Sequence, residues 1–203
     1  MSTNVRQLRL DSGLRAAQTK GIVSLQLFSP ASCRSYISAS NTNDWSAAPV
    51  YKDEPDGSYG AEVRTEYRRA NAFSPASHSD LRREFDLKVN KLIKPLINRI
   101  WDVRLTKHHS THVVRYSPGD FFTAHTDEFY ERNYRYFTIV CYLNDSYRGG
   151  RTVFPGLDYA VTPRAGKAVV FPSTYLHRAD PVIHGEKYVI VSWITGTPPI
   201  KWL

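Results

Sequence analysis

The sequence predicts an α+β protein, mainly β: a double-stranded β-helix (jelly roll) buttressed by amino-terminal helices. Three observations lead there. From Thr111 onward, short apolar runs follow one another at close intervals, separated by turn formers. Before them lies a long helical pattern with one apolar stripe, which needs a flat surface to cover it. The chain has 203 residues, 41% hydrophobic and 23% charged, which suits one compact domain with a sizeable core.

The elements follow in order. Met1 to Lys20 lacks the apolar stretch of a secretory signal and is expected to be a frayed, flexible basic terminus. Residues 21–110 are expected to form a first strand and supporting helices. Val23, Leu25 and Leu27 alternate on one face of a strand over Ile22 to Phe28. Ser29-Pro30 supplies an N-cap and a first-turn proline for a short helix marked by Cys33, Tyr36 and Ile37. Asn41 to Gly60 reads as a loop, yet carries Trp45, Tyr51 and Tyr59, suited to capping a core or closing over a ligand. Ser77-His78-Ser79-Asp80 has capping-box spacing. Behind it Leu81, Phe85, Val89, Leu92, Leu96 and Ile100 make the long helix, with a break expected near Pro95.

Residues 111–195 are expected to be the jelly-roll core. Its strands read as Thr111 to Tyr116, Phe121 to His125, Tyr136 to Leu143, Val161-Thr162, Ala168 to Phe171 and Tyr188 to Ile194. The whole chain, 1–203, is read as a single domain.

Composition narrows the function. No apolar run approaches the roughly 20 residues of a membrane span, so no membrane partner is expected. The two cysteines, Cys33 and Cys141, cannot make a disulfide framework, which points to a reducing, cytoplasmic setting. The net charge of +8 permits an anionic partner, but the positive charges are scattered.

One constellation carries chemistry. His125-Thr126-Asp127 sets an imidazole and a carboxylate two apart, which on an extended strand leave one face. A third candidate, His177, follows the turn-rich Phe171-Pro172-Ser173-Thr174-Tyr175-Leu176. Two histidines and one carboxylate on one face of a metal form the triad of non-haem iron(II) oxygenases, which leaves open positions for a cosubstrate and O₂. Lys187 opens the last strand, which should return beside the metal, so a cation there would pair with the far carboxylate of a bound dicarboxylate. Tyr142, in parity with Thr138 and Val140, offers that carboxylate a phenolic donor. His184 lies only three positions from Lys187, too close to separate a metal from the far end of a cosubstrate. His108, His109 and His112 precede the first core strand and are expected at the surface.

Arg115-Tyr116-Ser117-Pro118-Gly119-Asp120-Phe121-Phe122-Thr123-Ala124-His125-Thr126-Asp127 resembles the corresponding strand and turn of prolyl 4-hydroxylase-like 2-oxoglutarate dioxygenases. The resemblance extends through Arg135, Thr138, Tyr142-Leu143-Asn144, Gly149-Gly150-Arg151-Thr152-Val153-Phe154-Pro155, His177, Pro181-Val182, Gly185, Lys187 and Trp193. It implies Fe(II) held by His125, Asp127 and His177, and 2-oxoglutarate with its C5 carboxylate gripped by Lys187 and Tyr142. Tyr116 and Thr152 would line the same pocket. It also implies O₂-dependent decarboxylation of 2-oxoglutarate to succinate and CO₂, with ascorbate in support, coupled to hydroxylation of an unactivated C–H. A prolyl residue in a peptide or protein is the implied substrate.

Three alternatives stand beside it. A free amino acid or natural-product intermediate would keep the reaction and change the substrate, with specificity set by Asn41 to Gly60 and by an aromatic lid at Phe129, Tyr130 and Tyr134. Alkylation-repair demethylases share a His-x-Asp-Glu stretch, but carry two arginines where this chain has Lys187 and Trp193, so nucleic acid is not the expected partner. A cupin-like sensor would bind metal without turnover, although every position of the reaction set is filled here.

Overall fold

The computed structural model describes residues 6–9, 15–41, 45–53, 59–75, 79–105, 107–128 and 134–196. Its amino-terminal part comprises β1 (Arg6–Arg9), β2 (Arg15–Thr19), β3 (Ile22–Gln26), α1 (Pro30–Ser40), β4 (Ser46–Ala47), β5 (Val50–Asp53), β6 (Tyr59–Glu62), β7 (Arg68–Arg69), β8 (Asn71–Phe73), α2 (Asp80–Lys88) and α3 (Lys94–Trp101). The carboxy-terminal part is all strand but for one turn of 3-10 helix: β9 (Lys107–Tyr116), β10 (Phe121–His125), β11 (Tyr134–Tyr142), β12 (Arg148–Gly149), β13 (Thr152–Phe154), β14 (Tyr159–Ala160), β15 (Lys167–Pro172), β16 (His177–Ala179), β17 (Val182–His184) and β18 (Lys187–Gly196). A nine-stranded sheet runs β1-β2-β3-β15-β11-β18-β9-β8-β4, and a five-stranded sheet runs β14-β13-β16-β10-β7. Every strand pair is antiparallel, giving the jelly roll expected.

Side-chain parity makes two cores from the one large sheet. Val113, Ile139, Cys141, Val170 and Ile190 face the helices, against Phe85, Val89, Ile93, Leu96 and Ile97. Their strand neighbours Val114, Val140, Tyr142, Val169 and Val189 face inward with Phe154, Phe171 and Val182. The central strands are thus covered on both sides, which is why they read as unbroken apolar runs.

Local chemistry sets the ends and breaks. Ser29 caps α1 by accepting from the Ser32 N–H. Ser79, not Ser77, caps α2 by accepting from the Arg82 N–H; Ser77 and His78 lie outside the described residues. Pro95 has no N–H to give to Lys91, and the helix widens into a π turn over Val89–Ile93 before α3 resumes.

Several expectations need correction. Within the terminus expected to fray, β1 and β2 extend the large sheet. The loop Asn41 to Gly60 contains β4 and β5 and the start of β6, and Trp45 caps the core by packing edge-on to Phe73 at 5.0 Å. Val161-Thr162 is not a strand; the pairing falls two residues earlier, at Tyr159–Ala160 on Val153–Phe154. His108 and His112 lie within β9: His108 Nε2 is 2.8 Å from the Asp86 carboxylate, tying α2 to the sheet.

Candidate active site

Strand register builds the site. β10 and β16 are antiparallel neighbours, and His125 stands directly opposite His177, with ring centroids 4.3 Å apart. Each imidazole is fixed from behind: His125 Nδ1 is 2.8 Å from the Thr123 carbonyl, and His177 Nδ1 is 2.9 Å from the Tyr175 carbonyl. Both carbonyls can only accept, so Nδ1 carries a proton in each ring and Nε2 is the atom left to face the cavity. Those two atoms face one carboxylate, His125 Nε2 at 3.6 Å from Asp127 Oδ1 and His177 Nε2 at 3.5 Å from Asp127 Oδ2. The three ligand atoms lie within 4.8 Å of one another.

Asp127 reaches this place by a route other than the one its spacing suggests. β10 stops at His125, so strand pleat does not align the two side chains. Instead the Asp127 N–H donates to the Ser173 carbonyl at 2.9 Å, and Thr138 Oγ1 donates to Asp127 Oδ2 at 2.8 Å. Ser173 Oγ, 3.0 Å from Thr138 Oγ1, completes the chain as donor. Burial lowers the His125 pKa to about 4, with the facing His177 next in effect, so the ring is a neutral ligand at physiological pH. The Asp127 carboxyl is held below its ordinary range by the two imidazoles, against the cost of burial.

The triad lies on the wall of a cavity of about 520 Å³, together with Tyr116, Thr152 and Lys187. Lys187 is 2% exposed and sits opposite Tyr116 in the β9–β18 register. Its Nζ donates to the Gly150 carbonyl at 2.8 Å and lies 5.0 Å over the Tyr116 ring. Desolvation pulls its pKa down to about 7. Gly150 is needed here: at φ +58°, a Cβ would come within 2.9 Å of Val182 Cγ2 and 3.3 Å of Lys187 Cδ.

Tyr142 does not line the cavity. It is fully buried, and its hydroxyl donates to Thr152 Oγ1 at 2.7 Å, so it stands one side chain back and leaves the Thr152 proton to point elsewhere. His184 is exposed and pairs with Arg148 on the small β12–β17 ribbon, away from the triad. Phe129 and Tyr130 lie outside the described residues; Tyr134 is packed edge-on to Tyr136 at 4.6 Å and is not an open lid. Tyr51 is half exposed on the cavity wall. Sequence reasoning missed Ser173, His112 and Arg68. His112 lines the cavity, its Nδ1 2.8 Å from Ser74 Oγ. Arg68 comes from a two-residue strand too short to leave any periodic signal.

A jelly roll with a His-Asp-His cluster on its cavity wall carries the set of side chains that the non-haem iron(II) oxygenases use to hold their metal. Residues 111–195 match the family described as the 2OG-Fe(II) oxygenase superfamily. A PKHD-type hydroxylase from Synechococcus is 37% identical over 108 residues, covering 49% of this chain and 47% of the relative. Prolyl 4-hydroxylase 13 of Arabidopsis thaliana is 32% identical over 117 residues, covering 43% of each. The chain spans about half the length of the curated relatives it matches. The crystal structure of a Pseudomonas putida prolyl-4-hydroxylase superposes with a TM-score of 0.68 at 19% identity, covering 86% of this chain and 92% of that one, a likeness of fold. Residues 111–195 are thus similar to the 2OG-Fe(II) oxygenase superfamily, and about half of the chain is similar to hydroxylases of the prolyl 4-hydroxylase and PKHD types. Two imidazoles, one carboxylate and a nearby buried cation suit the iron and the dicarboxylate for which that superfamily is named.

Proposed function

We propose that the chain is an Fe(II)- and 2-oxoglutarate-dependent dioxygenase that hydroxylates an unactivated C–H of a prolyl residue in a peptide or protein. The observation that carries this is the meeting of His125 Nε2, Asp127 and His177 Nε2 on the wall of the cavity that also holds Lys187. His125, Asp127 and His177 would hold the metal. Lys187 would take the C5 carboxylate of 2-oxoglutarate, with Thr152 as a second donor oriented by Tyr142, and Tyr116 packed beside them. The chemistry supplied by iron, 2-oxoglutarate and O₂ together is oxidation of a C–H bond, with succinate and CO₂ as the co-products.

What the residues contribute is position and dryness. The Thr123 and Tyr175 carbonyls hold both imidazoles in one tautomer. The Thr138–Ser173 pair stops the Asp127 carboxylate from turning. Val140, Val189 and Val191 line the cavity with apolar surface, which strengthens the pairing of Lys187 with an anion. The prolyl preference is supported by the name of the Arabidopsis relative, a prolyl 4-hydroxylase. A reducing, cytoplasmic setting fits the two cysteines, both free and buried.

The test incubates the chain with Fe(II), 2-oxoglutarate, ascorbate and a panel of proline peptides under air. The expected result is a mass gain of one oxygen on a peptide, with succinate formed in step. Peptides left unmodified, with no succinate, overturn the proposal.

A further inference from the structure

Arg68 is out of balance with its surroundings. The charged side chains on the cavity wall are Arg64, Arg68, Arg135, Arg178 and Lys187 against Asp127 and Glu128, among the described residues. Most of these cations are already answered. Arg64 bonds Glu66 at 2.9 Å, Arg178 bonds Asp180 at 2.8 Å, and the Arg135 guanidinium carbon lies 3.8 Å from the Trp193 ring centroid. Lys187 faces the end of the cavity assigned above to the diacid. Among the described residues Arg68 has neutral partners only: Nη1 donates to the Pro49 carbonyl at 3.0 Å, and the side chain hydrogen-bonds with Tyr116. Its Nε is buried with no partner among the described residues. A half-buried guanidinium without a carboxylate is costly, and an anion entering the cavity relieves that cost.

Its position is also defined. Arg68 pairs with Phe122 across the β7–β10 register. Its guanidinium carbon lies 4.7 Å from the Phe122 ring centroid, and that ring stacks on His125 at 3.6 Å and 18°. Arg68 thus stands one aromatic ring away from the metal triad. The Pro49 bond and the Phe122 stack hold the fork against rotation. Trp193, 93% buried by its 7% exposure and lining the same cavity, has an Nε1–H with no partner among the described residues, a second donor in want of an acceptor.

We propose that Arg68 binds a carboxylate of the substrate, so that the residue oxidised, or its immediate neighbour, carries a negative charge. This rests on the oxygenase reading above and adds to it the substrate's charge. A free amino acid, a carboxy-terminal residue and an acidic side chain beside the proline share this chemistry. The short path from Arg68 to His125 leaves no room for a distant charge.

The test is a calorimetric titration of the whole chain, loaded with Mn(II) and 2-oxoglutarate without oxygen. The probes are N-acetyl-L-proline, its amide, free L-proline, and a proline-aspartate dipeptide blocked at both ends. The carboxylate-bearing acetylproline is expected to bind about tenfold or more tighter than its amide, the scale of a charge-assisted bond. Arg68→Gln is expected to erase that ratio, and Arg68→Lys to keep part of it. Whether free proline or the aspartyl dipeptide binds tighter identifies the source of the carboxylate. Equal binding of acid and amide, no binding of either, or a ratio that survives Arg68→Gln overturns the inference. Succinate release from the same chain loaded with Fe(II) in place of Mn(II), under air, reports separately on the oxygenase reading. A preference that depends on Arg68 without any succinate supports the carboxylate site and contradicts the oxygenase.

Discussion

Asp127 is bound to Thr138 more tightly than to either histidine beside it: Thr138 Oγ1 to Asp127 Oδ2 is 2.8 Å, while the imidazole nitrogens stand 3.5 and 3.6 Å away. The threonine belongs to β11 of the large sheet and the aspartate to the loop after β10 of the small one. This hydrogen bond, with that from the Asp127 N–H to the Ser173 carbonyl, ties the two sheets together at the site. Thr138→Val keeps the shape and removes the donor, freeing the carboxylate to turn. Metal affinity is expected to fall by about 10- to 100-fold, as measured by Co(II) titration, with the melting temperature checking the fold. Unchanged affinity would place the orienting group elsewhere.

Lys187 predicts a pH dependence. Burial lowers its pKa from 10.5 to about 7, and only the protonated amine attracts a carboxylate. Affinity for 2-oxoglutarate is thus expected to decline as pH rises above about 7, by up to tenfold per unit. Binding at pH 8 takes up a proton, visible as a binding enthalpy that varies with the buffer. The unfolded chain holds more protons than the folded one between about 7 and 10.5, so the Lys187 contribution to stability rises with pH across that window. Lys187→Met should raise the 2-oxoglutarate requirement, remove the pH dependence and leave metal affinity in place.

Gly150→Ala tests the same slot from its wall. The added methyl would meet Val182 and Lys187 at a backbone angle of φ +58° that favours glycine. A raised 2-oxoglutarate KM with unchanged metal affinity is expected. Wild-type kinetics would show that the wall can yield without disturbing Lys187.

Phe85→Ala tests the support behind the site. Phe85 is fully buried between α2 and the large sheet, and its ring stacks near Phe28 at 6.4 Å. Truncation should cost about 3–5 kcal/mol, read by denaturant unfolding. A loss under about 1 kcal/mol would mean that the helix layer is not packed as described.

Much of this was legible in sequence because the central strands have two covered faces. The apolar runs at Tyr136 to Leu143 and Tyr188 to Ile194 mark β11 and β18 to within two residues at each end. The parity of Thr138, Val140 and Tyr142 correctly sets them on one face, since period 2 survives even where both faces are apolar. The Ser29-Pro30 helix start is a local effect, and it appears where the residues place it. What escaped has long-range causes. β16 is three residues long and polar, and becomes a strand only between β10 and β13. β2 is a polar strand stabilised by its pairing with β3. Arg68 and His112 enter the cavity through strand pairing at its rim, which no local pattern reports.

The most direct measurement is an anaerobic Fe(II) titration of the wild-type chain and of His125→Ala, Asp127→Ala and His177→Ala, each checked for folding. One ion per wild-type chain, with binding lost in all three variants, is the predicted result. Tight binding that persists in any of the three would show that these side chains do not share a single metal.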